Sequence, residues 1–165
     1  MVPVTEFRTL PVNSPEPADR TSEGTVLGSG DSLGLGIVDT TDEAQNTVVC
    51  ALWWRVIDMN GNSEIKNIRV WVEGVEYLTG TTEWYMDITD VWTQGKTPVQ
   101  VHTGTPGIAP ASEPAANLSR MGGGLITGTD HDQTSRYIYI AGNIGVNETP
   151  GNKTCLRLKV KFDYE

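Results

Sequence analysis

Histidine and cysteine are scarce in this chain of 165 residues, with two of each. Cys50 and Cys155 stand far apart and neither belongs to a CxxC, so a zinc centre has no ligand spacing to use. No serine lies in a GxSxG turn, and no cysteine has a nucleophile motif around it. A disulfide between the two cysteines would need an oxidising compartment, so a buried free thiol is the default. Basic residues are few as well: 12 Lys and Arg against 21 Asp and Glu give a formal net charge of −9. An acidic body repels phosphate backbones, which argues against nucleic acid as a partner. No apolar run approaches the roughly 20 residues that a membrane span needs. Residues 1–25 hold no apolar stretch after a basic start, so neither a membrane anchor nor a signal peptide is expected in this chain. Helical periodicity is missing too: no segment repeats apolar residues at helical spacing over about ten positions.

What is present reads as strands and turns. The strongest signal is Thr47–Val72, two apolar, β-branched and aromatic runs flanking Asn60-Gly61. Asn-Gly is the preferred pair for a two-residue hairpin turn. Counting outward sets Val56 opposite Ile65, Trp54 opposite Asn67, Leu52 opposite Arg69 and Cys50 opposite Trp71. Trp53, Ala51 and Val49 then meet Ile68, Val70 and Val72 on the other face, which is the expected core face. The first face is mixed, and Trp54, Arg69 and Trp71 stand out on it. Either another part of the chain covers these three or a partner does, because Trp and Arg are enriched at interface hot spots. The register also sets Arg55 opposite Lys66, an unfavourable like-charge pair that a bulge or a slip would relieve.

Residues 1–32 differ from the rest. Four of the nine prolines are here, and Val4, Phe7 and Leu10 are isolated apolar positions among polar ones. This composition cannot build a core alone, so it predicts an extended arm held by the protein's own sheet or by a neighbouring subunit. Val4, Phe7 and Leu10 are its candidate partner-binding residues. Gly28–Gly36 lacks both GxGxxG and Gly-Lys-Ser/Thr, so it reads as a flexible joint into a strand over Leu33–Asp39. Further strands are expected over Glu83–Trp92, ending near Asp90, and over Val99–His102, Leu125–Ile126, Arg136–Ala141 and Thr154–Tyr164. In the last, Leu156, Leu158, Val160, Phe162 and Tyr164 alternate with charged or small residues. Residues 103–124 carry three prolines and five glycines without periodicity, a long loop of the kind that is functional or ordered by a partner.

About seven or eight short, mostly antiparallel strands predict an all-β fold, a single sandwich or barrel-like domain over 33–165 with the arm at 1–32. The search for chemistry is thin. His131 lies between Asp130 and Asp132 in a polar turn, where neighbouring side chains rarely converge. Asp130 and Asp132 could chelate a hard cation if Asp87 or Asp90 clustered with them, but a lone DxD supplies too few oxygens for calcium, so no metal and no cofactor is expected. Trp71, Trp84 and Tyr139 would suit a flat glycan-binding platform if exposed. Three sequons start at Asn117, Asn147 and Asn152.

These features point away from an enzyme and toward a structural protein of a large assembly. A small acidic β-domain with an arm has the general architecture of virion accessory proteins, such as capsid decoration or tail components. Its partner would be a second copy or a major structural protein of the same particle, and its location the virion. A subunit of an extracellular filament would look similar. The alternative is a surface-exposed glycan- or protein-binding module acting alone. On the assembly reading, removal of residues 1–24 leaves the domain folded and abolishes assembly.

Overall fold

The computed structural model describes the whole chain except residues 29, 37, 39, 41, 79, 80, 147 and 150–155. Among the described residues nine strands and one short α-helix follow in order: β1 (Val4–Pro11), β2 (Thr25–Leu27), β3 (Gln45–Asn46), β4 (Cys50–Asp58), β5 (Ile65–Glu73), β6 (Glu83–Thr89), α1 (Pro98–His102), β7 (Pro106–Ile108), β8 (Tyr137–Ile144) and β9 (Arg157–Tyr164). The larger sheet runs β2-β1-β4-β8-β6-β7, with β3 also on β8, and the smaller one is β5-β9. All pairings are antiparallel and the sheets do not close into a barrel. The all-β expectation therefore holds.

The Asn60-Gly61 turn forms as expected. Both residues take positive φ, 51° and 81°, and the Asn62 N–H donates to the Met59 carbonyl at 3.0 Å. The strands it joins do not pair, however, and the predicted register is wrong. β1 occupies one edge of β4 and β8 the other, so β5 passes into the second sheet and pairs with β9. Burial explains the choice. β4 is apolar on both faces, and a strand of that kind belongs inside a sheet covered on both sides. Cys50, Leu52, Trp54 and Val56 meet Ile65, Ile68, Val70 and Val72 in the main core. Val49, Ala51 and Trp53 join Tyr137, Tyr139 and Ala141 in a second core on the opposite face. That face is covered by Leu10, Val12, Trp92, Met121 and Val101 of α1. The like-charge conflict disappears as well: Arg55 lies 3.3 Å from Glu6 across β1, and Lys66 pairs with Glu64 at 2.8 Å. A bulge between Lys66 and Arg69, with Asn67 at φ 51°, keeps Ile65 and Ile68 both facing inward.

The N-terminal segment is built into the larger sheet. Residues 1–32 do not stand apart from the body, because Val4–Pro11 is an inner strand between β2 and β4. Of the two supports considered for it, the protein's own sheet provides one. Phe7 packs on the main core and Leu10 on the second. The turn side chains add a clasp, with Asn60 Nδ2 donating to the Val2 carbonyl at 2.6 Å and Asn62 Nδ2 to that of Met1 at 2.7 Å.

Val99–His102 is helical rather than extended. Thr97 and Gln100 form a reciprocal capping box and Pro98 takes the first turn. The sequence carries that signature as Thr-Pro-x-Gln. The strand expected over Leu33–Asp39 is absent from its described residues, where Leu33 and Leu35 pack on the main core as irregular chain. Leu125–Ile126 contributes only a bridge, Ile126 to Ile65.

Candidate interaction surface

The smaller sheet has two long edges, and the chain treats them differently. The β5 edge is covered by residues of the 103–124 loop. Asn117 bonds Val70 twice at 2.8 Å, Oδ1 accepting from its N–H and Nδ2 donating to its carbonyl. The Val72 N–H donates to the Pro110 carbonyl at 2.9 Å, and the Asn117 and Leu118 amides both donate to Ile68 at 3.1 Å. Loop 103–124, expected to be functional or ordered by a partner, is thus bonded to the chain's own sheet edge.

These bonds fix which way the backbone of β9 points. The amides of Val70 and Val72 face the loop, so those of Arg69, Trp71 and Glu73 face β9, opposite Lys161, Lys159 and Arg157. At the far end Glu64 and Glu165 exchange N–H to carbonyl bonds at 3.2 and 3.1 Å. Alternation then turns the amides of Leu158, Val160, Phe162 and Tyr164 outward, to an edge with which no described residue pairs. Their side chains face the main core and are half-buried, except Tyr164, which is 39% exposed.

The outer face of the smaller sheet is charged. Arg69 bridges Asp163 at 2.6 Å and Glu113 at 3.2 Å, Lys161 reaches Glu113 at 2.9 Å, and Lys159 lies 3.5 Å from Glu73. Lys66 bonds the Glu165 carboxylate. Asn67 and Arg69 together hold the Asp163 carboxyl below its ordinary range. Trp71 lies beneath this layer at 6% exposure and donates Nε1 to Glu73 at 3.1 Å. Beside it is a shallow cleft of about 690 Å³, lined by Glu73, Glu76, Tyr77, Glu113, Arg157 and Lys159 among others.

The six candidate partner-binding residues are not gathered in one place. Trp54 is fully buried against Phe162, with ring centroids 5.1 Å apart, and is worth about 3–5 kcal/mol to the fold. Trp54 faces the main core while Arg69 and Trp71 lie on the outer side of the smaller sheet, so the three do not share the face that the expected register gave them. Phe7 and Leu10 are held in the cores, and Val4 is 46% exposed at the start of β1. The proposed glycan platform is not a surface either: Trp84 is 7% exposed and Tyr139 is wholly buried. Among the described residues the most exposed ring is Tyr77, at 72%.

The acidic residues also take structural partners. Asp87 pairs with Lys96 and accepts from the Thr105 N–H at 2.9 Å. Asp90 bonds Arg136 at 3.0 Å and the Gly122 N–H at 2.9 Å, contacts that hold its carboxyl low. Neither joins Asp130 and Asp132, and among the described residues no three metal-ligating side chains converge. His131 Nδ1 accepts the Arg20 N–H at 2.8 Å. His102 stacks on Tyr85 at 3.8 Å, and burial lowers its pKa. Cys50 is a free thiol that burial pushes up to about 11, so it is protonated and inert at neutral pH. Cys155, Asn147 and Asn152 lie outside the described residues. No described helix is long and apolar enough to cross a membrane.

Two features are not evident from the sequence. Arg20 is 7% exposed in the second core, with no pattern around it to announce burial. The open edge of β9 was signalled by its unbroken alternation, free of glycine and proline, but openness depends on what the rest of the chain covers. No family model matches the chain, and neither a curated protein nor a solved structure matches it.

Proposed function

We propose that this chain is a non-enzymatic structural protein of a large assembly, a virion accessory protein of the capsid-decoration or tail type, built on a sandwich-like body. The observation that carries the reading is the edge of β9, eight residues long and unpaired among the described residues, where the other described sheet edges are short or covered. β2 and β7 have three residues each, and loop 103–124 shields β5. Long, regular edges with unpaired backbone groups are templates for strand addition, and single proteins normally blunt them. On this reading the folded body makes the contacts, in place of a free arm. Quantitative proteomics of particles purified from the source organism tests it. A fixed, stoichiometric copy number supports the role, and absence from the particles overturns it.

One observation favours the other reading, a lone glycan- or protein-binding module: the exposed Tyr77 ring beside the polar cleft at Trp71. An aromatic ring flanked by carboxylates and amines suits a sugar. A glycan array with native chain and Tyr77→Ala decides it. Specific binding that Tyr77→Ala abolishes favours the module; no binding by the native chain rejects it.

A further inference from the structure

We infer that the open edge of β9 takes the same edge of a second copy, antiparallel about a two-fold axis, so that β5-β9 becomes a continuous four-stranded sheet. The inference rests on the assembly reading and names its first contact.

Charge order on the strand carries it. Along the outward face of β9 and the following residue stand Arg157, Lys159, Lys161, Asp163 and Glu165, three cations and then two anions. A strand with this ramp is complementary to itself when reversed. With the axis at Lys161, Arg157 of one copy lies opposite Glu165 of the other, and Lys159 opposite Asp163, giving four opposite-charge pairs. Lys161 meets its own copy, but each is already neutralised by Glu113 at 2.9 Å. Asp163 and Glu165 keep room for a second cation, being 48% and 66% exposed in spite of their bonds to Arg69 and Lys66. Directly opposed unlike charges on a sheet favour a register and like charges oppose it.

The backbone agrees. The groups that must pair across the axis are those of Leu158 with Tyr164 and Val160 with Phe162, the same four residues whose amides face outward. On the inner face the same register sets Leu158 beside Tyr164 and Val160 beside Phe162, covering apolar side chains that the single chain leaves half-buried or exposed. Neither a bulge nor an inward-pointing charge on β9 blocks such pairing, because the bulge of the smaller sheet lies on β5 and the inward side chains are apolar or Tyr164.

Sedimentation velocity on the full chain tests this with the native chain and three variants. Native chain should show a monomer–dimer equilibrium. Val160→Pro removes one outward N–H and no bond to β5, so it should leave a folded monomer. The doubles R157E/K159E and D163K/E165K each make the strand nearly uniform in charge and should be monomeric alone. Mixed in equal amounts they should form a heterodimer, and 0.5 M salt should weaken it. A native chain that stays monomeric at every concentration overturns the inference, as do charge doubles that each dimerise alone. If Val160→Pro fails to fold by circular dichroism, the mixing experiment decides by itself. A monomeric native chain still found at fixed copy number in particles would sink the two-fold contact and leave the assembly role standing. A dimer absent from all particles would do the reverse.

Discussion

Arg20 is a buried cation whose three guanidinium nitrogens each reach an acceptor. Nε donates to Thr134 Oγ1 at 2.6 Å and an Nη to the His131 carbonyl at 3.1 Å, while its own carbonyl accepts from Trp53 Nε1 at 2.8 Å. The guanidinium also stacks over Tyr137, whose hydroxyl donates to Glu16 at 2.9 Å and whose pKa burial pushes up to about 12. Removing one partner from a buried charged network costs more than the network contributes net, because the others are left unsatisfied. Arg20→Met should therefore lower unfolding stability by about 2–3 kcal/mol in a urea titration. His102 gives a pH dependence with a definite sign. Its folded pKa is lowered, chiefly by burial, so the folded state resists the proton that the unfolded chain accepts near 6.5. Its contribution is fully present above that pH and falls as pH drops toward the folded value. Melting temperature should fall between about pH 7 and 5.5 in the native chain and fall less in His102→Gln.

At the scale of elements, Asn117 shows how a loop becomes a sheet edge. Its carboxamide copies a backbone peptide and bonds both groups of Val70, which is wholly buried. Asn117→Ala should cost about 1–3 kcal/mol by denaturant titration, the penalty for a buried N–H left without an acceptor. Because that carboxamide is committed to the fold, expression in a glycosylating host should leave the Asn117 sequon unoccupied by mass spectrometry. Much of the strand content was legible. β6, β8 and β9 announce themselves by two-residue alternation, and Tyr137 and Tyr139 fall on one face of β8 with Ile138 and Ile140 on the other. The Asn60-Gly61 turn was legible too. The pairing around it was not, since a turn fixes local geometry while β1 and β8 compete for both edges of β4. Alternation also could not separate a surface Trp54 from a core Trp54. That depends on whether a second sheet lies above β4, which is a property of the topology.

For the molecule as a whole, the first strand decides how the account reads. β1 supplies one edge of β4 and brings Phe7 and Leu10 to the two cores, and residues beyond it carry Arg20 into the second core. Too poor in apolar residues to fold alone, this segment is nonetheless sufficient as an added strand. Deletion of residues 1–24 should thus unfold the protein, seen as lost near-ultraviolet dichroism, in place of the folded but non-assembling domain that composition suggested. The edge left for partners is then β9, and hydrogen exchange read by mass spectrometry on the full chain, dilute and concentrated, tests that most directly. The outward amides of Leu158, Val160 and Phe162 should exchange fast when dilute and become protected on concentration, while Phe7–Leu10 stays as protected as β4 throughout. Protection of β9 that does not change with concentration, or rapid exchange across β1, would contradict the account.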